Sequence, residues 1–474
     1  MTTPSIEAEI AFPAPKAQWA KQPHFRQTQL GNAERLVHTY SSNIKFCHAW
    51  KWLVWDGRRW RCDDTGAIHR MAMSTIRSIG QEAKAESDDD LRGWAKRSES
   101  NYHLKAMAEM AQNMTNVRVD TSAFDQDQYK FNCANGTIDL RTGTLRPHSR
   151  EDLITKLSSV EYRPDAECPQ WLGFLERILN SDAALINFMQ KAIGYSLTGA
   201  VTEKALFFLH GSGDNGKTTL LEAVRRIMGE YAGTAEVEAF MKDASTAEKE
   251  RATADLAGKR FVTASEAAQG HSLNEAHVKK LTGMGRLSGR RIYCSAFEFD
   301  PNFKLFIDAN HKPSLSVADQ AIWNRLRLIP FEVSIPKDQQ DKNLLVKFAA
   351  EAPGILAWAV QGCLRWQSEG LGPPVAVLQA TEAYREEVDS VSDFIADRCI
   401  QDPGATEKFS DLYADYCDWS KKYSEKPISA KAFGQTLDRK GFTLDRKPGV
   451  RCRKGLKRGQ EPLAEQPLDT AYNA

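Results

Sequence analysis

The spacing of apolar residues changes character several times along this chain, and each change marks an expected element. Residues 1–28 hold Pro4, Pro13, Pro15 and Pro23 with little periodicity, which predicts a flexible arm. In WLVWDGRRWRC apolar and polar positions alternate around Asp56-Gly57, the pattern of a strand hairpin. NGTIDLRTGTLRPH predicts a second hairpin, turning at Thr142-Gly143, and Met71 to Met114 between them reads as helical. Together these predict a mixed α+β N-terminal domain over 29–150. Asp165 to Thr198 carries helical stripes in WLGFLERIL and LINFMQKAIGYSL, a collar or linker over 151–200. Short, wholly apolar runs then alternate with helical patterns: ALFFLH, Phe261 to Ala264, and the start of FKLFIDANHKP. Such runs are expected of strands covered on both faces, so an α/β core is predicted over 201–335. Leu344 to Trp366 is helical again, within a helical subdomain over 336–389. From Ser390 the pattern shortens. DLYADYCDWSKKY presents Leu412, Tyr413, Tyr416 and Trp419 on one face, ISAKAFGQTLDRKG has Ser429 as an N-cap, and FTLDRKPGVRCRKGL reads as a basic hairpin around Pro448-Gly449. This C-terminal domain spans 390–458, before a flexible tail at 459–474. No internal repeat is visible.

Length changes this picture little: 474 residues suit roughly three domains. Glu7 and Glu9 stand where a secretory leader needs basic residues, and the most apolar segments are far shorter than the about 20 residues that cross a bilayer. Nine cysteines without a CxxC pair suit reduced thiols, so a cytoplasmic protein is expected. Cys47, His48, Cys62 and His69 match no common zinc spacing, and no structural metal is expected. Trp50, Trp52, Trp55 and Trp60 could stack on bases, but packing of a small domain is the simpler reading. Charge matters more. The net charge of +1 conceals a block from 421 to 460 with thirteen Lys/Arg against only Glu425, Asp438 and Asp445. An anionic polymer is the partner this suggests.

The sharpest chemistry lies in FLHGSGDNGKTTLLEAV. Gly211, Ser212, Gly213, Asp214, Asn215, Gly216, Lys217 and Thr218 match GxxxxGK[ST] in full, followed by Thr219. A buried-strand run precedes the motif. An amphipathic helix follows, carrying Leu220, Leu221, Val224, Ile227 and Met228 and closed by Gly229. Glycines let backbone N–H groups converge on phosphates, and the helix N-terminus adds a favourable field. ATP is therefore expected, with Lys217 on its β and γ phosphates and the Thr218 hydroxyl on Mg²⁺.

Further along, the strand Phe261 to Ala264 ends in Ser265 and Glu266. A carboxylate there can polarise the attacking water and support the metal, so Glu266 joins Thr218 in the expected metal set. Most such sites have two acids in tandem; here the first position is Ser265. Asn310 ends the next strand, where an amide can sense the γ-phosphate. Arg325 and Arg327 follow a short helix, and a guanidinium reaching a neighbouring subunit's site can stabilise phosphoryl charge. For Arg327 a surface ion pair is an equally good reading.

In this order, Gly211–Thr218, Glu266, KKLTGMGRLSGRRIY, Asn310 and Arg325 resemble superfamily 3 helicases. The chain is most similar to the phage/plasmid primase C-terminal family, related to the poxvirus-type primase–helicases. GNAERLV, WDGRRW, NGTIDLRTG, CPQW, IGYSLTG, FLHGSGDNGKTTLL, KKLTGMGRLSGRR, ANHKP and WNRLRLIPF carry the resemblance, from about Leu30 to Gly455. It implies an α/β, AAA+-like P-loop ATPase core and a hexameric ring moving 3′→5′ on one DNA strand. ATP sites between subunits then give Arg325 its role in trans. Many members begin with a primase–polymerase domain, for which residues 1–28 leave no room, so any primase is expected as a separate chain. Ser265 departs from the tandem acids of other superfamily 3 proteins, although a lone Glu is usual in this branch.

The resemblance also implies a channel-facing segment between Glu266 and Asn310, with Lys279, Lys280, Arg286, Arg290, Arg291 and Lys304 as DNA contacts. RRIYCSAFEFDPNFKLFI is expected to form its moving hairpin, turning near Asp300 to Asn302. The C-terminal domain resembles a winged helix, with Lys431, Arg446, Lys447 and Arg451 as its DNA contacts; protein docking is the alternative for that face. Two rivals stay open. A P-loop packaging motor would lack the KKLTG…GRR segment, and an ATP-binding origin or loading scaffold would hydrolyse poorly.

Overall fold

A computed structural model describes residues 24–265, 273–290, 295–313, 315, 319–423, 427–447 and 450–459. It opens on α1 (Gln29–Tyr40) and the antiparallel strands β1 (Ile44–Cys47), β2 (Lys51–Trp55) and β3 (Trp60–Cys62). The expected hairpin joins β2 to β3, and Asp56 Oδ1 holds its turn by accepting from the amides of Arg58 and Arg59. Trp52, Trp55 and Trp60 are buried, as packing residues should be, while Trp50 is partly exposed. The helical stretch is three helices, α2 (Ala67–Glu86), α3 (Asp89–Ser98) and α4 (Asn101–Ala111). Asp88 and Ser100 divide it by capping the helices that follow. A second antiparallel sheet comprises β4 (Lys130–Cys133), β5 (Gly136–Asp139) and β6 (Thr144–Arg146), with the second expected hairpin joining β5 to β6.

Two helices, α5 (Pro169–Ile178) and α6 (Ala183–Leu197), lead to the central part. This runs β7 (Leu206–His210), α7 (Lys217–Met228), β8 (Ala232–Thr234), α8 (Thr246–Asp255), β9 (Phe261–Ser265), α9 (Glu275–Leu281), β10 (Leu287–Gly289), β11 (Phe297–Phe299), β12 (Lys304–Ala309), α10 (Gln320–Trp323) and β13 (Leu326–Pro330). Five of these strands form a parallel sheet in the order β13-β7-β12-β9-β8.

Alternate strand residues serve two different cores, which explains the continuous apolar runs. Phe207, Leu209, Phe261, Phe306 and Ile329 pack with Leu220, Val224 and Ile227 of α7. Leu206, Phe208, Val262, Leu305, Ile307 and Leu328 pack on the other face with Val278 and Leu281 of α9 and Tyr384. Phe207 and Phe306 stack at 4.4 Å between centroids, and burial of each such ring contributes about 1.5–3 kcal/mol. The carboxyl ends of the strands are thereby fixed relative to α7.

Beyond the sheet lie α11 (Leu344–Ala350), α12 (Ala352–Glu369) and α13 (Val375–Glu387). α12 packs along α6 so closely that a Cβ on Gly194 would stand 2.1 Å from the Cys363 backbone nitrogen. Only glycine allows that approach. The chain then runs α14 (Ser390–Arg398), β14 (Cys399–Lys408), α15 (Phe409–Lys422), α16 (Ala430–Arg439), β15 (Leu444–Lys447) and β16 (Val450–Arg458), the strands ordered β14-β16-β15. Ser429 caps α16 as expected. The Pro448-Gly449 turn lies outside the described residues.

Two expectations need correction. The hairpin between Glu266 and Asn310 does not turn near Asp300 to Asn302. β11 pairs back with β10, Leu287 opposite Phe299, and β12 belongs to the parallel sheet. Leu287 is buried and Gly289 lies against Ala254 of α8, so packing selects this pairing. Lys304 is not a surface DNA contact. It is only 2% exposed, and its Nζ donates to the carbonyls of Thr198 and Ala200 beneath the Tyr195 ring. Burial and the nearby Arg260 charge push its ammonium well below the ordinary lysine pKa. Lys304→Met is expected to cost about 1–3 kcal/mol in chemical denaturation, by stranding two buried carbonyls, while leaving DNA affinity at the parent value.

Candidate functional site

The loop from Gly211 to Thr218 leaves the carboxyl end of β7 and enters α7. Gly213, Asp214 and Gly216 have φ of 98°, 49° and 82°, left-handed backbone on either side of Asn215 that turns the loop sharply. At Gly216 any Cβ would also meet Ile178 Cγ2 at 2.7 Å, so this position needs glycine twice over. The loop is tied to the chain after β13: Ile335 N donates to Asp214 O at 2.7 Å, and Asn215 Nδ2 to Phe331 O at 3.3 Å.

Lys217 is 3% exposed. Its Nζ donates to Gly211 O and Asn215 Oδ1, both at 2.9 Å, and to Asn310 Oδ1 at 3.1 Å. The sequence-predicted pair Lys217 and Asn310 is thus brought together directly. Loop and strand ends enclose a cleft of about 370 Å³ lined by Gly213 to Thr219, Ser265, Asp308 and Asn310. Ser212 is exposed beside it.

Asp308 is the site residue that the motif reading missed. It is 7% exposed, its Oδ2 accepts from Thr218 Oγ1 at 2.6 Å, and its Oδ1 lies 3.9 Å from Lys217 Nζ. Strand parity carries the signal: Phe306, Asp308 and Asn310 alternate onto one face, the face against α7. Counting back two from Asn310 would have found it. His210, ending β7, is half-buried; burial and then the charges of Lys312 and Lys217 push its imidazole below the ordinary histidine pKa.

Glu266 and Arg291 lie outside the described residues. Arg325 is not near the loop of its own chain. It precedes β13 at the amino end of the sheet, where its carbonyl accepts from Leu206 N, and a five-residue strand of roughly 15 Å separates it from the loop end. Its Nη1 donates to Ala321 O, and its Nε is buried without a hydrogen-bond partner among the described residues. Arg327 donates to the carbonyls of Asn324 and Leu326.

Of the expected DNA contacts, Lys280, Arg286 and Arg290 are exposed around α9 and β10. Lys279 is paired with Asp319, and Arg286 lies 3.4 Å from Glu298. Lys431 on α16 and Arg451 on β16 are exposed, and Arg446 and Lys447 lie on β15, opposite Arg451 and Val450. No single described helix is long and apolar enough to cross a membrane.

A strand–loop–helix thus brings buried Lys217 and Asp308 together with exposed Thr218 at the carboxyl edge of a parallel sheet. Residues 33–180 match the family model described as "D5 N terminal like", and residues 209–325 match one described as "Family of unknown function (DUF5906)". "Putative helicase L207/L206" of Acanthamoeba polyphaga mimivirus is 26% identical over 334 residues, 65% of this chain and 34% of that protein. "Putative helicase 022R" of Frog virus 3 is 26% identical over 66% of this chain and 33% of its own length. "Putative primase C962R" of African swine fever virus (isolate Tick/Malawi/Lil 20-1/1983) is 22% identical over 66% and 35%. The alignments thus span about a third of each of these relatives. The apo C-terminal region of NrS-1 superposes with a TM-score of 0.41 at 11% identity, over 63% of this chain and 78% of that one.

Proposed function

We propose that this chain is an ATP- and Mg²⁺-dependent DNA helicase of the superfamily 3 type, acting in replication of a phage, prophage, plasmid or viral genome. The observation that carries the reading is the Lys217–Asn310 and Thr218–Asp308 pairing at the mouth of the Gly211–Thr218 loop. The helicase and primase names of the relatives support the same direction.

The residues fit a triphosphate and a hard divalent cation. A hydroxyl and a buried carboxylate are the oxygen donors Mg²⁺ takes, and it keeps most of its water while using few protein ligands. Thr218 would hold the ion, with Asp308 beside it, and Mg²⁺ there would offset the negative charge that develops on the phosphates. Lys217 exchanges its bonds to Gly211, Asn215 and Asn310 for phosphate oxygens, while Asn310 senses the γ-phosphate. Glu266 orients and deprotonates the lytic water, and Arg325 acts from the next subunit of a ring, hexameric by resemblance. Lys280, Arg286 and Arg290 contact the phosphates of a DNA strand in the channel, with salt-sensitive affinity. The helix–strand–helix–helix–strand–strand order from α14 to β16 supports the winged-helix reading, in which basic residues, Lys431 and Arg451 among them, grip duplex or forked DNA.

Strand separation on forked DNA with a 3′ or a 5′ tail tests the proposal. Unwinding that requires ATP and the 3′ tail is the expected outcome. DNA-stimulated ATP hydrolysis with no unwinding would point instead to a duplex-moving motor. Nucleotide binding without hydrolysis would point to a scaffold.

A further inference from the structure

The tandem-acid position before Glu266 is occupied by Ser265, so the usual carboxylate that steadies the loop threonine and the metal's water shell is missing from β9. The fold has a carboxylate in the same space. β9 and β12 are adjacent parallel strands in which Asp308 pairs with Ser265 in register. Register partners in adjacent strands project from the same face, so both lie over the start of α7. Both line the cleft. Asp308 Oδ2 accepts the Thr218 hydroxyl proton at 2.6 Å, which leaves that hydroxyl's lone pairs to face a cation. In P-loop enzymes generally, the loop Ser/Thr and a strand-end aspartate hold the metal together.

We infer that Asp308 supplies the metal-shell carboxylate of this site from β12, one strand away from the place the tandem motif assigns to it. The role is positioning: Asp308 orients Thr218 and accepts from metal-bound water, while Lys217, 3.9 Å from its other oxygen, sets its reach toward the phosphates. A serine at 265 is then no defect, because a carboxylate at both register partners would bring two like charges together at the cleft, at an energetic cost. This inference rests on the nucleotide-site reading above.

The test separates metal from nucleotide. ADP affinity is measured with Mg²⁺ and with EDTA for the parent chain, Asp308→Asn and Asp308→Ser, and Mn²⁺ binding at saturating ADP is followed by EPR. Both variants are expected to lose about 10- to 100-fold in Mn²⁺ affinity, the usual effect of removing a group that supports metal ligands. Their affinity for ADP in EDTA should stay within about threefold of the parent, since Lys217 and the loop remain intact. A folded variant with parental Mn²⁺ affinity overturns the role of Asp308 and leaves the nucleotide site standing. Equal losses with and without metal overturn it too, by marking Asp308 as a general support of the loop. A parent chain that binds no ADP overturns both this inference and the functional reading.

Discussion

Lys217→Ala is expected to lower ATP turnover by about 10²- to 10³-fold, the scale set by losing one preorganised charge at a developing anion. Lys217 is buried among Gly211 O, Asn215 Oδ1 and Asn310 Oδ1, with Asp308 beside it, so its ammonium is the positive group already aimed at the loop mouth. Alanine also strands those acceptors, and Lys217→Arg is too bulky for the same space. Phosphate release with single-stranded DNA reads the rate. A shift of melting temperature by ADP separates failed chemistry from failed binding. Parental turnover in a folded Lys217→Ala chain would remove the Gly211–Thr218 loop from the mechanism.

The second large effect is at Arg325. Arg325→Ala is expected to cost about 10³-fold in turnover, the lower end for an arginine finger, while leaving ADP affinity unchanged. Its position at the amino end of the sheet excludes action on the loop of its own chain, roughly 15 Å away. Mixing therefore gives a decisive readout. Arg325→Ala subunits keep their loops and Lys217→Ala subunits keep their arginines, so one interface type in an equal mixture is intact. Recovery toward about a quarter of parental activity is expected for random head-to-tail assembly. Two inactive variants that stay inactive when mixed would refute completion of the site in trans.

Much of the site is legible in the sequence because its geometry is local. GxxxxGK[ST] between a buried run and an amphipathic helix leaves one way to fold, and Asn310 announces itself as the polar end of an apolar strand. Asp308 is harder to see because an acid inside a buried strand gains meaning only from what lies across from it. Thr218 and Ser265 are 90 and 43 residues away, joined to it by sheet register and not by spacing. The misplaced hairpin has a similar cause. Both Phe297–Phe299 and the run from Lys304 can follow a turn, and the choice falls to Leu287 and Gly289 packing against α8. Lys304 shows the limit of reading charge as surface: a lysine opening an apolar strand looks exposed until the carbonyls ending α6 are brought above it. Thr28 caps α1 after a proline-rich stretch that gives no notice of the helix.

Lys304 has a neighbour in the same role. Arg260, just before β9, donates to Leu197 O at 2.6 Å and lies 4.6 Å from the Tyr231 ring centroid, so both strands are bolted at their roots to the end of α6. β9 and β12 are in effect beams built into a wall at one end. Their far tips carry Ser265, Asp308 and the approach to Asn310. Whatever position those tips hold is set from α6 at the other end, and α6 is itself held by its glycine-close contact with α12.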